Sequence, residues 1–326
     1  MSLRRNPISK SPKIKIGITI GDPSGIGPAL VLKSIAGFKG KAEFILIGDR
    51  GVLSRAVKAR MPPNLVLMDL KNIRLRNFSF GHIRPEYGRA SIEYLDKAME
   101  LLSRGRIDCL VTAPISKEAI SLAGLPYTGH TEYFAEKTGV KNTEMMLLNR
   151  YLKTILLTRH IPLKDVSRRI TRERIKEVVL SAHSSLKRLF LIKEPRIVVC
   201  GLNPHASDGG IIGGEEKEVF IPAIKELKSR VRYIEGPLPA DTAILKVKNK
   251  LFDCAVTVYH DQSLIALKAL GSSSGVNLTL GLPFIRTSPL HGTAFDIAYK
   301  TGLIDPASMI ESIKLAIRCT LNLRKD

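Results

Sequence analysis

The amino-acid sequence predicts an α/β protein built on a mainly parallel sheet. Short apolar runs, typical of buried strands, alternate along the chain with longer amphipathic stretches, typical of helices. No internal repeat or low-complexity linker interrupts this alternation. The chain has 326 residues, of which 44% are hydrophobic, so it can bury a large core and is long enough for two domains.

The individual elements follow from the same patterns. The predicted strands are β-branched or apolar segments at 13–20, 44–48, 107–112, 145–148, 153–158, 196–200 and 254–258, with a possible short one at 65–68. The predicted helices lie at 29–36, 87–102, 168–189, 263–270 and 301–323, and a further one starts near 131. The chain between 49 and 85 is otherwise expected to be irregular, 235–241 to be a loop and 1–12 to be a loose polar tail.

Composition limits the function classes. The net charge is +21, but Lys and Arg are spread along the chain, Trp is absent and aromatic residues make up 6%, so no nucleic-acid site is predicted. No apolar run approaches the roughly 18 to 20 residues of a membrane span, and no apolar segment follows the basic N-terminus as in a secretory signal. The four cysteines, at 109, 200, 254 and 319, lack metal-binding spacing, which favours buried free thiols in a reducing cytoplasm.

A glycine-rich turn follows the first predicted strand. Its sequence, GDPSGIGP at 21–28, lies between a strand and a helix N-terminus, where anions and substrates often bind. The turn lacks the Gly-Lys-Ser/Thr of a P-loop and the GxGxxG spacing of a dinucleotide fingerprint. The glycines could also serve only to allow a tight turn.

The rest of the chain is organised around the stretch 254–286. Its strand delivers His260 at its carboxyl end, where open α/β sheets bind their ligands. Lys268 follows in the last turn of a helix, and Asn277 and Arg286 are expected on the connections beyond it. All three of these later side chains can donate hydrogen bonds to a phosphate, although Lys268 alone could equally be a solvated helix end.

Three of the seven histidines share one setting. His160, His205 and His260 each follow an apolar strand, and the carboxyl ends of parallel strands meet at one edge of a sheet. Three neutral imidazoles with an open coordination position suit a divalent metal such as Zn²⁺ or Co²⁺. Each histidine could also be an ordinary hydrogen-bonded loop residue.

A set of motifs carries a family resemblance. They are GITIGDPSGIGP, VTAPISKEAI, GLPYTGHTEYFA, TRHIPL, GLNPHASDGG, GPLPADT, VTVYHDQSLIALKAL and SPLHGTAFDIAYKTGLIDP. With these, the chain from about Ile14 to Leu321 resembles the 4-hydroxythreonine-4-phosphate dehydrogenase family, PdxA. The resemblance implies two α/β/α domains, as in isocitrate and isopropylmalate dehydrogenases. They would comprise 1–128 with 288–326, and 129–287, with the active-site cleft between them.

The resemblance also implies roles for single residues. The metal ligands would be His160, His205 and His260. The substrate-binding residues would be His130, Thr131, Lys268, Asn277 and Arg286. The candidates for a general base would be Asp241 and Lys117. The cofactor-binding residues, by analogy with the adenosine loop of isopropylmalate dehydrogenases, would be His291, Gly292, Thr293, Ala294 and Asp296. In that analogy Asp296 holds the adenine ribose and disfavours a 2′-phosphate.

The reaction implied is an oxidative decarboxylation assisted by a divalent metal (Zn, Mg or Co). With NAD or NADP, 4-phosphohydroxy-L-threonine would become 3-amino-2-oxopropyl phosphate, a precursor of pyridoxal 5′-phosphate. The family resemblance further implies a homodimer whose site draws residues from both subunits. A related four-carbon acid phosphate, D-threonate or D-erythronate 4-phosphate, is the alternative substrate, since the same metal and phosphate residues would serve it.

Overall fold

One mixed sheet forms the centre of the molecule. The computed structural model describes residues 13–38, 42–57 and 65–325, so the predicted tail at 1–12 lies outside the described residues. The strands in these ranges are β1 (Lys15–Thr19), β2 (Glu43–Gly48), β3 (Leu65–Asp69), β4 (Cys109–Thr112), β5 (Glu144–Leu148), β6 (Lys153–Leu156), β7 (Arg196–Cys200), β8 (Tyr233–Leu238), β9 (Cys254–Thr257), β10 (Val276–Leu280) and β11 (Ile285–Pro289). Their order across the sheet is β3-β2-β1-β4-β11-β10-β5-β6-β9-β7-β8.

Most strand pairings are parallel. Among the described strands, the pairs β1–β2, β2–β3, β1–β4, β4–β11, β6–β9, β7–β9 and β7–β8 are parallel. The antiparallel pairs β10–β11, β5–β10 and β5–β6 lie together in the middle of the sheet. The predicted α/β fold with a mainly parallel sheet is therefore confirmed, as is the predicted strand pair β5–β6.

Helices cover the sheet. They are α1 (Gly27–Ile35), α2 (Arg50–Ala56), α3 (Pro85–Ser103), α4 (Lys117–Leu122), α5 (His130–Thr138), α6 (Val166–Arg169), α7 (Arg172–Phe190), α8 (Ile221–Leu227), α9 (Ala240–Lys248), α10 (His260–Gly271) and α11 (Ala307–Leu323). In the described ranges, none of them combines the length and apolar character that a membrane crossing would need.

Three local predictions are corrected by the structure. The segment after β2 is not irregular throughout, because Asp49 accepts the N–H of Val52 and so caps helix α2. The loop predicted at 235–241 is strand β8 as far as Leu238, since it pairs with β7. Asn277 and Arg286 lie on strands β10 and β11 rather than on connections, because these two strands pair with each other and with the sheet.

Alternate residues of the inner strands enter two separate apolar clusters. In β7, Ile197 and Val199 pack in the larger cluster, together with residues of α7 and α8. Val198 lies in the second cluster, together with residues of α9 and α10. Because successive side chains of a strand point to opposite faces, both faces of this part of the sheet are covered. The four cysteines are buried and free, as predicted.

The sheet order brings the three predicted metal ligands to one edge of the sheet. Strands β6, β9 and β7 are parallel neighbours, and each leads to one of the histidines at its carboxyl end. His160, His260 and His205 therefore all lie beyond the same edge of the sheet. Strand β4, which leads to Lys117, is parallel to β11. Three antiparallel pairings separate β11 from β6, so β4 runs in the opposite direction to the strands that precede the histidines. The antiparallel strand β10 runs between these two groups, and it carries Asn277.

Candidate active site

A pocket of about 410 Å³ takes residues from both of these groups of strands. It is formed by the end of β4 and the loop behind it, the first turn of α5, the loop after β6, strands β10 and β11, and the loop after β11. Most of the predicted substrate residues meet here. The predicted site residues that line it are Lys117, His130, Thr131, His160, Asn277, Arg286, His291 and Gly292.

Arg286 supplies a buried cation to the pocket. Its side chain is 2% exposed. Nε and Nη2 donate to Oγ1 of Thr112 at 3.1 and 2.6 Å, and Nη1 donates to Oγ1 of Thr279 at 3.0 Å. A guanidinium has five N–H groups, so Nη1 and Nη2 each retain a hydrogen for a ligand.

The charge of Arg286 has no carboxylate partner within ion-pair distance among the described residues. Burial lowers the pKa of Arg286 to about 9, although the Glu132 carboxylate acts in the opposite direction. A buried charge is costly unless it is paired. An anionic group in the pocket would supply the missing partner, and a phosphate matches the fork geometry of arginine.

Three further polar atoms in the pocket are buried without a hydrogen-bond partner. They are Nε2 of His130, Oδ1 of Asn277 and Nε2 of His291. Burial, followed by the charge of Arg286, lowers the pKa of His130 well below its usual value, so its imidazole is neutral at pH 7. Buried polar atoms in folded proteins are nearly always satisfied. Their concentration in one pocket therefore indicates a polar ligand.

His160 and His260 lie side by side at one end of the site. Their ring centroids are 5.3 Å apart. Nδ1 of His260 lies 2.7 Å from Oδ1 of Asp261, and a proton shared there leaves Nε2 free as an electron-pair donor. Desolvation, Lys117 and the neighbouring His260 lower the pKa of His160, which favours the neutral form that binds metals. These two histidines fit a pair of metal ligands.

His205 does not join this pair. It is exposed, and it begins a run with left-handed backbone in which φ is 54°, 53°, 66°, 45° and 70° at residues 205–209. In the described part of the chain, no three His, Cys, Asp or Glu side chains are grouped closely enough to hold a metal ion. The predicted set of three histidines is thus only partly assembled within one chain.

Two other predicted residues lie outside the pocket. Lys268 is exposed and lies eight residues after His260 on the same helix, which corresponds to about 12 Å along the helix axis. Asp241 is exposed in the first turn of α9, where its Oδ1 accepts the N–H of Thr242. Of the two candidate bases, only Lys117 lines the pocket.

Sequence analysis missed two charged residues of the pocket. Glu132 and Arg159 both line it, the first from α5 and the second from the loop before His160. Each is a direct neighbour in sequence of a predicted site residue. That adjacency is the signal that could have identified them.

The predicted cofactor loop is only partly in the pocket. His291 and Gly292 line it, whereas Thr293, Ala294 and Asp296 do not. Nδ1 of His291 lies 3.1 Å from the carbonyl oxygen of Gly292, which is consistent with a proton on Nδ1 and an electron pair on the unpartnered Nε2. Asp296 is exposed and has no ion pair in the part of the chain that the structure describes.

The glycine-rich turn supports this loop from behind. The N–H of Ile26 donates to the carbonyl of Thr293 at 2.9 Å, and the N–H of Asp22 donates to the carbonyl of Pro114 at 2.9 Å. Gly21 has φ +70°, and a Cβ atom there would lie 2.2 Å from the same Pro114 oxygen. Burial raises the pKa of Asp22 to about 7, and its Oδ2 has no partner. The turn thus holds two walls of the pocket together.

The pocket therefore has two chemically distinct ends. Arg286, Asn277 and His130 can bind a multiply charged anion, and His160 and His260 can bind a divalent cation. Lys117 and Glu132 line the same pocket. The arrangement suits a small phosphorylated substrate that also meets a metal.

Comparison with known proteins identifies a family. The sequence profile of the PdxA family, described as pyridoxal phosphate biosynthetic protein PdxA, matches residues 40–316. A curated 4-hydroxythreonine-4-phosphate dehydrogenase from Sulfurihydrogenibium sp. is 43% identical over 318 residues, covering 93% of this chain and 98% of the relative.

Two further proteins are similar over nearly the whole chain. A protein from Oceanobacillus iheyensis, provisionally named D-threonate 4-phosphate dehydrogenase, is 41% identical over 327 residues, covering 94% of this chain and 98% of the relative. The crystal structure of a 4-hydroxythreonine-4-phosphate dehydrogenase from Klebsiella pneumoniae has a TM-score of 0.84 at 34% identity, covering 96% of this chain and 99% of that one.

Proposed function

The chain belongs to the PdxA family of pyridoxal phosphate biosynthetic proteins, and we propose that it is an NAD-dependent 4-hydroxythreonine-4-phosphate dehydrogenase. The family resemblance inferred from the motifs is confirmed. The reaction oxidises the secondary hydroxyl of 4-phosphohydroxy-L-threonine and releases CO₂ to give 3-amino-2-oxopropyl phosphate. The observation that carries the proposal is the buried Arg286, without an ion-pair partner among the described residues, in a pocket lined also by His160, whose ring lies 5.3 Å from that of His260.

The phosphate end of the substrate binds at Arg286. The two free N–H groups of the guanidinium donate to phosphate oxygens, and Thr112 and Thr279 hold its orientation. His130 and Thr131 contribute further contacts from the first turn of α5. Binding energy gained at this remote end orients the reacting carbon.

The reacting hydroxyl lies at the histidine pair. His160 and His260 would hold a divalent metal through neutral nitrogens, and Asp261 fixes the ring of His260. When bound, the metal would act as a Lewis acid toward the substrate oxygen. Lys117, the candidate base that lines the pocket, is placed to take the hydroxyl proton while the hydride passes to NAD.

The cofactor binds along the loop at 291–296. His291 and Gly292 already line the pocket, and the turn at 21–28 supports the loop from behind. The exposed carboxylate of Asp296 would bind the adenine ribose and repel a 2′-phosphate, which favours NAD over NADP.

The active protein is a homodimer whose site is shared between subunits. Two observations support this: His205 and Lys268 are exposed, and neither lines the pocket of its own chain. A two-fold partner would add its Lys268 to the phosphate end and its His205 to the metal end of the site. The pocket also takes residues from both predicted domains, 1–128 with 288–326 and 129–287, which supports a cleft between them. Four buried free thiols favour a reducing cytoplasm.

Complementation tests the shared site. His160→Ala and Lys268→Ala should each be inactive alone. Random mixing of the two unfolded and refolded variants should restore about a quarter of wild-type activity, because half of the dimers are mixed and one of their two sites is intact. No recovery would place both residues in a site made by one chain.

The substrate is tested by NADH formation. The purified protein is incubated with 4-phosphohydroxy-L-threonine, NAD and a divalent metal, with D-threonate and D-erythronate 4-phosphates in parallel. We expect kcat/KM to be highest for the amine-bearing substrate, and no NADH to form after chelation of the metal. NADH from a hydroxy-acid phosphate only would favour the second candidate function, which the similarity to the Oceanobacillus iheyensis protein supports.

A further inference from the structure

The pocket contains one carboxylate with no assigned role. Among its lining residues in the described part of the chain, Glu132 is the only acidic side chain. We propose that Glu132 binds the ammonium group of the substrate and thereby selects an amino-acid phosphate over the corresponding hydroxy-acid phosphate. This inference rests on the proposed function and specifies its substrate class.

Glu132 is held at the mouth of the site by helix α5. It is the third residue of the helix, directly after His130 and Thr131. A Cβ atom at Gly129 would lie 3.2 Å from Oε2 of Glu132 and 3.6 Å from Cε of Lys117. The glycine therefore leaves room for both side chains to pass over the backbone toward the pocket.

The carboxylate is unpaired in cationic surroundings. Lys117, Arg159 and Arg286 all line the same pocket. No Lys or Arg nitrogen of the described residues lies within ion-pair distance of Glu132, whereas Glu136, one turn later, accepts a hydrogen bond from Tyr127 at 3.0 Å. A carboxylate that leaves nearby cations unengaged is free to bind a cationic group of a ligand.

The Glu132 carboxylate acts electrostatically on both ends of the site. Burial is the main cause that lowers the pKa of both Arg286 and His160, and in both cases the Glu132 carboxylate acts against that shift. The side chain is therefore close enough to interact electrostatically with the phosphate anchor and with the histidine pair. A group that it binds therefore lies near the histidine pair, next to the carbon that is oxidised.

The two candidate substrate classes differ at this place. Carbon 2 carries an ammonium in 4-phosphohydroxy-L-threonine and a hydroxyl in D-threonate 4-phosphate, next to the hydroxyl-bearing carbon 3. A carboxylate forms a charge-assisted hydrogen bond with the ammonium and a weaker, neutral-donor bond with the hydroxyl. A pocket with surplus positive charge would otherwise repel an ammonium. Glu132 offsets that repulsion.

The test compares kcat/KM for the two substrates in matched variants. Glu132→Gln keeps the shape of the side chain but removes its charge, and Glu136→Gln does the same one turn away, outside the pocket. We expect Glu132→Gln to lower kcat/KM for 4-phosphohydroxy-L-threonine by about 10- to 100-fold, and to change that for D-threonate 4-phosphate by less than about threefold. Glu132→Asp should recover part of the loss, and Glu136→Gln should match the wild type.

The outcomes separate the two proposals. If the wild type does not oxidise the amine-bearing substrate, the proposed function fails, and the role of Glu132 fails with it. If the wild type oxidises the amine-bearing substrate, two results would overturn only the Glu132 proposal. In the first, Glu132→Gln lowers kcat/KM equally for both substrates; in the second, it changes kcat/KM for neither. A melting temperature for each variant within a few degrees of the wild type confirms that the comparison concerns folded protein.

Discussion

Replacing Arg286 by Met tests whether this residue exists for the ligand or for the fold. The substitution keeps a long unbranched side chain while removing the charge and the three hydrogen bonds to Thr112 and Thr279. If Arg286 is structural, its loss should mainly lower the stability of the free protein. If Arg286 binds the ligand, its loss should mainly weaken binding of the substrate phosphate.

The structure sets the size of both effects. Burial lowers the pKa of Arg286 to about 9, and at 1.36 kcal/mol per pKa unit this corresponds to a cost of about 5 kcal/mol for the buried cation. Three hydrogen bonds from a charged donor contribute about 1.5 kcal/mol or more each, which nearly offsets that cost. The free energy of unfolding of the free protein should therefore change by no more than about 2 kcal/mol.

Catalysis should respond much more strongly. Removing one partner of a buried charge pair costs about 2 to 5 kcal/mol, so kcat/KM should fall by about 30- to 4000-fold. The assay measures kcat/KM by NADH absorbance and melting temperature by scanning fluorimetry, with and without inorganic phosphate. Phosphate should raise the melting temperature of the wild type but not that of Arg286→Met.

Arg150 offers a matched control. It is exposed, lies outside the pocket and stacks on Tyr151, so Arg150→Met should leave both the kinetics and the phosphate response unchanged. The opposite result would be that Arg286→Met lowers the free energy of unfolding of the free protein by several kcal/mol while phosphate still raises the melting temperature of the variant. Arg286 would then be a structural residue.

Three further predictions follow from single residues. Burial raises the pKa of Asp22 from 3.8 to about 7, so the folded protein holds a proton that the unfolded chain releases, and stability should fall as pH rises from about 4 to 7. Asp22→Asn should remove this pH dependence. Measured by urea denaturation, its free energy of unfolding should exceed that of the wild type by up to about 4 kcal/mol at pH 8 but by little at pH 4. An equal difference at both pH values would contradict this prediction. His205→Ala should abolish turnover without changing the melting temperature, because this side chain is exposed. The control variant His183→Ala, on α7, should remain active. Near-normal activity of His205→Ala would refute the role of His205 as a metal ligand. Asp296→Asn should raise the ratio of kcat/KM with NADP to that with NAD by about tenfold, and an unchanged ratio would remove Asp296 from the cofactor site.

Local patterns in the sequence were enough to place most of the sheet. Strands such as β7 and β9 are short apolar runs in this fold because both faces of the sheet are covered by helices. Strands β8, β10 and β11 were not recognised, since each contains polar residues, glycine or proline and becomes a strand by pairing with a neighbour. Pairing partners are distant in sequence, so no local pattern reveals them.

The metal end of the site was likewise predictable only in part from the sequence. Three histidines after three strands were visible in the sequence, and the order β6-β9-β7 does bring those strands together. Side-chain placement was not predictable, because the chain after β7 turns into left-handed backbone and leaves His205 exposed, away from the His160–His260 pair. A spacing pattern locates a residue at an edge of the sheet but does not determine where its side chain points.

The sequence by itself determined the alternation of strands and helices, the buried thiols and, through its motifs, the family. Those properties depend on residue type and on neighbours within a few positions. Only the tertiary structure decided that Arg286 is buried without a carboxylate and that Glu132 shares its pocket. Burial and electrostatic surroundings are set by segments up to 180 residues apart in the chain, from 112 to 292, and these meet only when the sheet has assembled.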